Sequence, residues 1–309
     1  MLSVLNVLLP IFGLILAGYV CRRTDRLGET AAGELNRFVV WLCLPALLFE
    51  STATASWQEI WQPGFVAVSV ISTMSIFAFT VMYRLRMRMP LADASIDGLG
   101  AAYANTGYIG IPLCILVLGD DGLVPALIAT LVVVCVLFAV AVVCVEVGLQ
   151  QETTVTAAIS QVVIALGKNP LVVAPALGGL WALSGLTLVE PAAKFLHMLG
   201  LATTPCALVS LGAFLAKRQP GRAQGTPALV ALKLIGQPLI AWCLAIYVFH
   251  LPLFWAQAAL LLAALPTGTG PYMLAEFYRR EASLVSSTIL YSTLGSLVTL
   301  SLCLYLIAP

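Results

Sequence analysis

Asn105-Thr106-Gly107-Tyr108-Ile109-Gly110-Ile111-Pro112 places an amide, two hydroxyls, two glycines and a proline inside an apolar run from about 98 to 119. Pro112 lacks a backbone donor and clashes with the carbonyl four residues back, and Gly107 and Gly110 weaken helix. A run of this composition at membrane depth predicts a broken helix, tolerated only where protein or a wet cavity surrounds the freed backbone groups. A second break of the same kind is expected at Pro266-Thr267-Gly268-Thr269-Gly270-Pro271. Each break exposes N–H groups of one half-helix and carbonyls of another. The former suit a carboxylate and the latter a cation. Asn105, Thr106, Tyr108, Thr267 and Thr269 add uncharged donors and acceptors, with Gly107, Gly268 and Gly270 letting a ligand approach the backbone. Together these residues could hold a small carboxylate without a formal counter-charge. The plainer alternative is that they only repair two kinked helices.

Charged residues at membrane depth are functional candidates. Asp97 lies eight residues before Asn105, Glu276 nine after Thr267, and Lys233 one to two turns into its span with Gln237 four residues on. A Lys233 pair with Asp97 or Glu276 would make a proton-responsive or gating ion pair. Snorkelling of the lysine and interfacial solvation of the acids would give the same sequence. The isolated His197 and His250 and the eight cysteines show no metal-ligand or CxxC spacing, so neither a metal nor another cofactor is expected.

These residues must be positioned by a membrane domain. Of 309 residues 61% are hydrophobic and 9% charged, against about a quarter charged in an ordinary soluble domain. Windows of about 20 apolar residues predict ten spans, near 3–21, 34–53, 63–83, 96–119, 122–147, 159–183, 192–216, 228–249, 254–278 and 282–308. An all-α integral membrane fold follows. The apolar opening, with no basic residue before it, reads as a first span rather than a cleaved leader. The sixth span is interrupted by Asn169-Pro170 and Pro175, and 155–168 could be an interfacial amphipathic helix. Fourteen of the 15 Lys and Arg fall in odd-numbered loops or beside them, with Lys194 opposite. The positive-inside rule then puts those loops in the cytoplasm and both termini outside.

Pro45 precedes Thr106 by 61 residues and Pro205 precedes Thr267 by 62. These matched prolines read as further helix breaks and divide the chain into two five-span repeats, 1–150 and 169–309, joined by a linker at 151–168. An odd number of spans inverts the second copy, with the broken spans 4 and 9 crossing at the midplane, which is where transporters of this construction bind substrate.

The segments NRFVVWLCLPALLF (36–49), NTGYIGIPL (105–113), NPLVVAPALG (169–178) and LPTGTGPYMLAEFY (265–278) resemble the auxin efflux carrier family across essentially the whole chain. That family includes bacterial malonate and malate permeases and plant auxin exporters, and is related to the bile acid/sodium symporters. The resemblance implies a scaffold of spans 1, 2, 6 and 7 carrying a dimer interface. It also implies a transport domain of spans 3–5 and 8–10 that moves as an elevator in the plasma (inner) membrane. The family's crossover asparagine falls on Asn105 and its second crossover on Pro266–Pro271. The plant exporters carry Asn-Pro at each crossover, where this chain has Asn105-Thr106 and Thr267-Gly268, so an aromatic auxin pocket is not implied.

The expectation is a secondary transporter of a small organic anion, with coupling to the membrane potential alone, to H⁺, or to Na⁺. A cation/proton antiporter is the alternative within transport, and would need an acid close to the breaks. A membrane hydrolase would need a His/Glu cluster or an Asp dyad, which the sequence lacks, and no nucleic-acid partner is expected.

Overall fold

A computed structural model describes residues 2–54, 61–149, 163–164, 167–216 and 224–307. The expected linker and amphipathic segment fall largely outside them. The described chain is helical: α1 (Leu2–Arg23), α2 (Ala31–Thr54), α3 (Pro63–Arg86), α4 (Leu91–Ala102), α5 (Thr106–Leu118) and α6 (Asp120–Leu149). There follow α7 (Pro170–Leu183), α8 (Glu190–Leu215), α9 (Thr226–Val248), α10 (Leu253–Ala263), α11 (Gly270–Phe277) and α12 (Ser283–Ile307). Among the described residues seven of these, α1, α2, α3, α6, α8, α9 and α12, are long and apolar enough to cross a membrane. No strand is present among them; one isolated bridge pairs Ala104 with Thr267.

Several helices start where the sequence supplies a stop for the preceding chain. Asn169 accepts the Leu171 amide on its side-chain oxygen at 2.9 Å and Pro170 follows at the first helical position, where the missing N–H costs nothing. Pro191 and Pro227 do the same for α8 and α9. The interruption expected at Asn169-Pro170 is therefore a helix start.

The prolines expected to break helices do less than that. Pro112 lies in the first turn of the α-helical part of α5, seamlessly after a π-helical turn, Thr106–Gly110. Pro45 follows another, Val39–Cys43, and Pro205 sits within an uninterrupted α8. Pro238 also follows a π turn, Leu232–Gly236. A widened turn re-routes the carbonyl that the proline leaves without its N–H partner, so Pro45 and Pro112 are absorbed and the chain continues as helix. Pro266 does lie in a gap, and Pro271 opens α11.

Contacts divide the chain into two compact units. The first holds α1, α2, α5, the start of α6 up to Leu127, α7 and α8. Here α1 and α8 approach so closely that a Cβ on Gly212 would lie 1.9 Å from the Ile15 carbonyl oxygen, and one on Gly18 2.2 Å from that of Val209. α7 meets α2 the same way, Gly178 facing Thr52 and the Phe49 carbonyl. Small residues let membrane helices pack by backbone approach, where no hydrophobic effect drives them together.

The second unit holds α3, α4, the rest of α6 and α9–α12. Gly98 of α4 lies against Phe77 and Val81 of α3, and Gly148 of α6 against the backbone of Leu91 and Ala92. The boundary in α5 falls between Thr106 and Gly107, inside the polar motif.

Candidate functional site

Both polar stretches interrupt helix. α4 ends at Ala102 and α5 starts at Thr106; α10 ends at Ala263 and α11 starts at Gly270. The gaps repair each other. The Asn105 amide donates to the Pro266 carbonyl at 2.9 Å, and the Gly268 amide to the Tyr103 carbonyl at 3.0 Å, forming the bridge of Ala104 with Thr267. Thr267 is fully buried. Its hydroxyl donates to the Gly100 carbonyl at 2.8 Å and its amide donates to Ser292 Oγ at 3.0 Å. Gly100 is in the last turn of α4, whose carbonyls lack helical partners, so Thr267 caps that helix. In this structure the amide and hydroxyl of Thr267 are both engaged in joining the two gaps.

The glycines have a similar duty. A Cβ on Gly270 would lie 2.5 Å from Tyr103 Cζ, and one on Gly268 3.0 Å from the same ring, which packs edge-on to Phe138. Tyr103, two residues before the expected motif, is the ring that closes the second gap. Gly107 faces no such crowding, its nearest neighbour being Leu44 Cδ1 at 3.8 Å. Tyr108 belongs to the first unit, where its hydroxyl donates to the Asn36 side chain. In the second unit Thr269 and Gly270 are half-buried at the start of α11.

One group in the gaps is left over. Asn105 is 5% exposed and its buried side-chain nitrogen has no hydrogen-bond partner among the described residues. A buried donor left unmade costs about 1–3 kcal/mol, and buried polar groups are otherwise nearly always paired.

A second left-over group is Gln237 Oε1, buried while its Nε2 donates to Thr73 Oγ1 at 3.1 Å. It lines a cavity of about 20 Å³ with Ser69, Ser72, Thr73, Thr106 and Ala263, room for about one water-sized species. The structure thus brings Thr106 and Gln237 to one cavity.

The ion pairs differ from those expected. Lys233 meets neither Asp97 nor Glu276. Its side chain is fully buried and its Nζ donates to the Ala263 carbonyl at 2.7 Å, at the end of α10. Asp97 instead faces Arg84, Nε to Oδ2 2.9 Å. The approach is off the hydrogen-bond axis, so the contact is ionic. Asp93, one turn earlier, takes Arg280 through two nitrogens; its carboxylate holds the Arg280 guanidinium above its ordinary pKa. α4 is thereby tied to α3 and to the loop after α11, while Glu276 is exposed. Arg84, Asp93 and Arg280 carry no sequence mark beyond their charge. Among the described residues no cluster of three metal-ligating side chains occurs.

A model of the membrane transport protein family matches residues 3–304. The chain belongs to this family, that of the auxin efflux carriers. It is 32% identical over 313 residues, 99% of this chain and 97% of the relative, to a Rhizobium meliloti (strain 1021) protein named "Putative malonate transporter". An "Uncharacterized transporter" of Methanothermobacter thermautotrophicus is 29% identical, with 95% of each chain covered. "Uncharacterized transporter YfdV" of Escherichia coli (strain K12) is 26% identical over 96% of each. The protein is a multi-pass membrane transporter.

Proposed function

We propose that this transporter carries a small carboxylate, of the size of malonate, bound at the paired gaps with Asn105 as its principal side-chain donor. The observation that carries this reading is the unpartnered, buried Asn105 nitrogen. Four other donors there are spent on repair: the Asn105, Thr267 and Gly268 amides and the Thr267 hydroxyl all have partners. A carboxylate oxygen accepts from Asn105 and removes a desolvation cost already present in the empty protein. Thr106, and the α11 start at Thr269-Gly270 with its N-terminal partial charge, complete the site.

The ten-span count follows if α4 with α5, and α10 with α11, each make one broken crossing, and α7 a short one. The two five-span repeats then run in opposite senses, and the second unit, which holds both gaps, travels as the moving body of an elevator. The chain works in the plasma membrane with basic loops inside and both termini outside, as a dimer through the first unit. Arg84 already engages Asp97, which weakens the proton-antiport alternative, since that acid has a fixed partner.

Thermal unfolding of detergent-purified protein against malonate, succinate and acetate, with and without Na⁺, tests the reading. One or more acids raise the Tm of the wild type and leave Asn105→Ala unmoved. An equal shift in Asn105→Ala removes the site from the gaps.

A further inference from the structure

Lys233 is a buried amine with no anion beside it among the described residues. Its side chain is fully buried, and its one described partner is a neutral carbonyl, Ala263 O, at 2.7 Å. Among the described residues no carboxylate comes within ion-pair distance. The nearest candidates by sequence are committed elsewhere, Asp97 to Arg84 and Asp93 to Arg280, while Glu276 is exposed. The end of α10 carries only a partial negative charge, about half an elementary charge. A buried charge without a counter-charge is costly to keep. A lysine whose sole duty was to cap a helix could be replaced by neutral donors at lower cost.

We propose that Lys233 is the group that makes this carrier select anions, the missing counter-charge being the carboxylate of the substrate. This rests on the carboxylate reading above and adds the residue that sets its charge preference. Geometry places it well. Ala263 is three residues from Pro266, whose carbonyl takes the Asn105 amide, so the ammonium and the Asn105 backbone lie on the order of 10 Å apart. Across that distance Lys233 acts through its field, with no direct contact required. Asn105 supplies the hydrogen bond and Lys233 the field. At ~10 Å and an effective dielectric constant of ~20, Coulomb's law gives roughly a 15-fold preference for a ligand with one carboxylate over its neutral isostere.

The test uses isothermal titration of the full chain with malonate, its monoamide and its diamide, a ladder of nearly constant shape and falling charge. In the wild type the step from monoamide to diamide costs on the order of 15-fold in affinity. In Lys233→Met that step shrinks to below about threefold because the diamide is spared while the acids weaken, and Lys233→Arg keeps it. A Lys233→Met protein that loses all three ligands equally, or none, overturns the inference while leaving the carboxylate reading intact. A wild type that binds the diamide as well as the acids overturns it without any variant, which covers the case of a Lys233→Met chain that does not fold. A wild type that binds none of the three overturns both readings.

Discussion

Replacing Thr267 by valine separates a structural duty from a binding one. The substitution keeps the volume and the β-branch and deletes one hydroxyl. That hydroxyl is fully buried and donates to the Gly100 carbonyl at 2.8 Å. Its loss takes that donor from a carbonyl in the last turn of α4, where none is supplied by the helix itself. Leaving a buried acceptor unmade costs about 1–3 kcal/mol, so Thr267→Val is expected to destabilise by about 2 kcal/mol. That corresponds to a Tm lower by roughly 3 °C for a chain of 309 residues. Thr267→Ser keeps the hydroxyl and loses a methyl, about 0.8 kcal/mol, and recovers most of the Tm. Because Thr267 is spent on the fold, malonate affinity of the folded Thr267→Val protein stays within about twofold. The assay is thermal unfolding in detergent, followed by titration below the transition. A Thr267→Val protein of unchanged Tm that no longer binds malonate would refute the capping role and return Thr267 to the ligand.

Gly270→Ala drives a Cβ into the Tyr103 ring and should cost about 1–3 kcal/mol as overpacking. Adding Tyr103→Ala should recover part of that loss in a double-mutant cycle, whereas Gly107→Ala, with its nearest neighbour at 3.8 Å, should leave the Tm unchanged or raised. Gly212→Ala sets a Cβ against the Ile15 carbonyl at 1.9 Å; it should force α1 from α8 and lower the yield of folded protein in size-exclusion chromatography. Asp97→Asn leaves the Arg84 guanidinium, whose side chain is 11% exposed, without its counter-charge and should cost about 3 kcal/mol; the double variant Asp97→Asn/Arg84→Gln should recover much of it in unfolding experiments, since removing both charges is cheaper than removing one.

The places where helix fails were legible because their cause is local. Glycine, proline and asparagine in an apolar run weaken helix wherever they lie. Which residue ends the helix was not local: α4 stops at Ala102, three residues before Asn105, because Tyr103, Ala104 and Asn105 pair with the distant Pro266–Gly268 segment. Pro45 and Pro112 do not break their helices for a related reason, since a π turn ahead of each absorbs it and a π turn has no residue signature of its own. The charge partners were hidden as well. Lys233 points at a backbone carbonyl, which every residue has, and Asp97 chose Arg84 over the lysine, a decision made by the packing of α4 on α3. Asn105 was marked by its type and depth alone; that its side-chain nitrogen remains unpaired needed the whole second unit in place.

Uptake of radiolabelled malonate into proteoliposomes, wild type against Asn105→Ala matched for folded protein, decides whether transport runs through Asn105. Saturable uptake by the wild type and none above the empty-liposome level for Asn105→Ala is the predicted result. Equal uptake by the two proteins would contradict a carboxylate site built on Asn105.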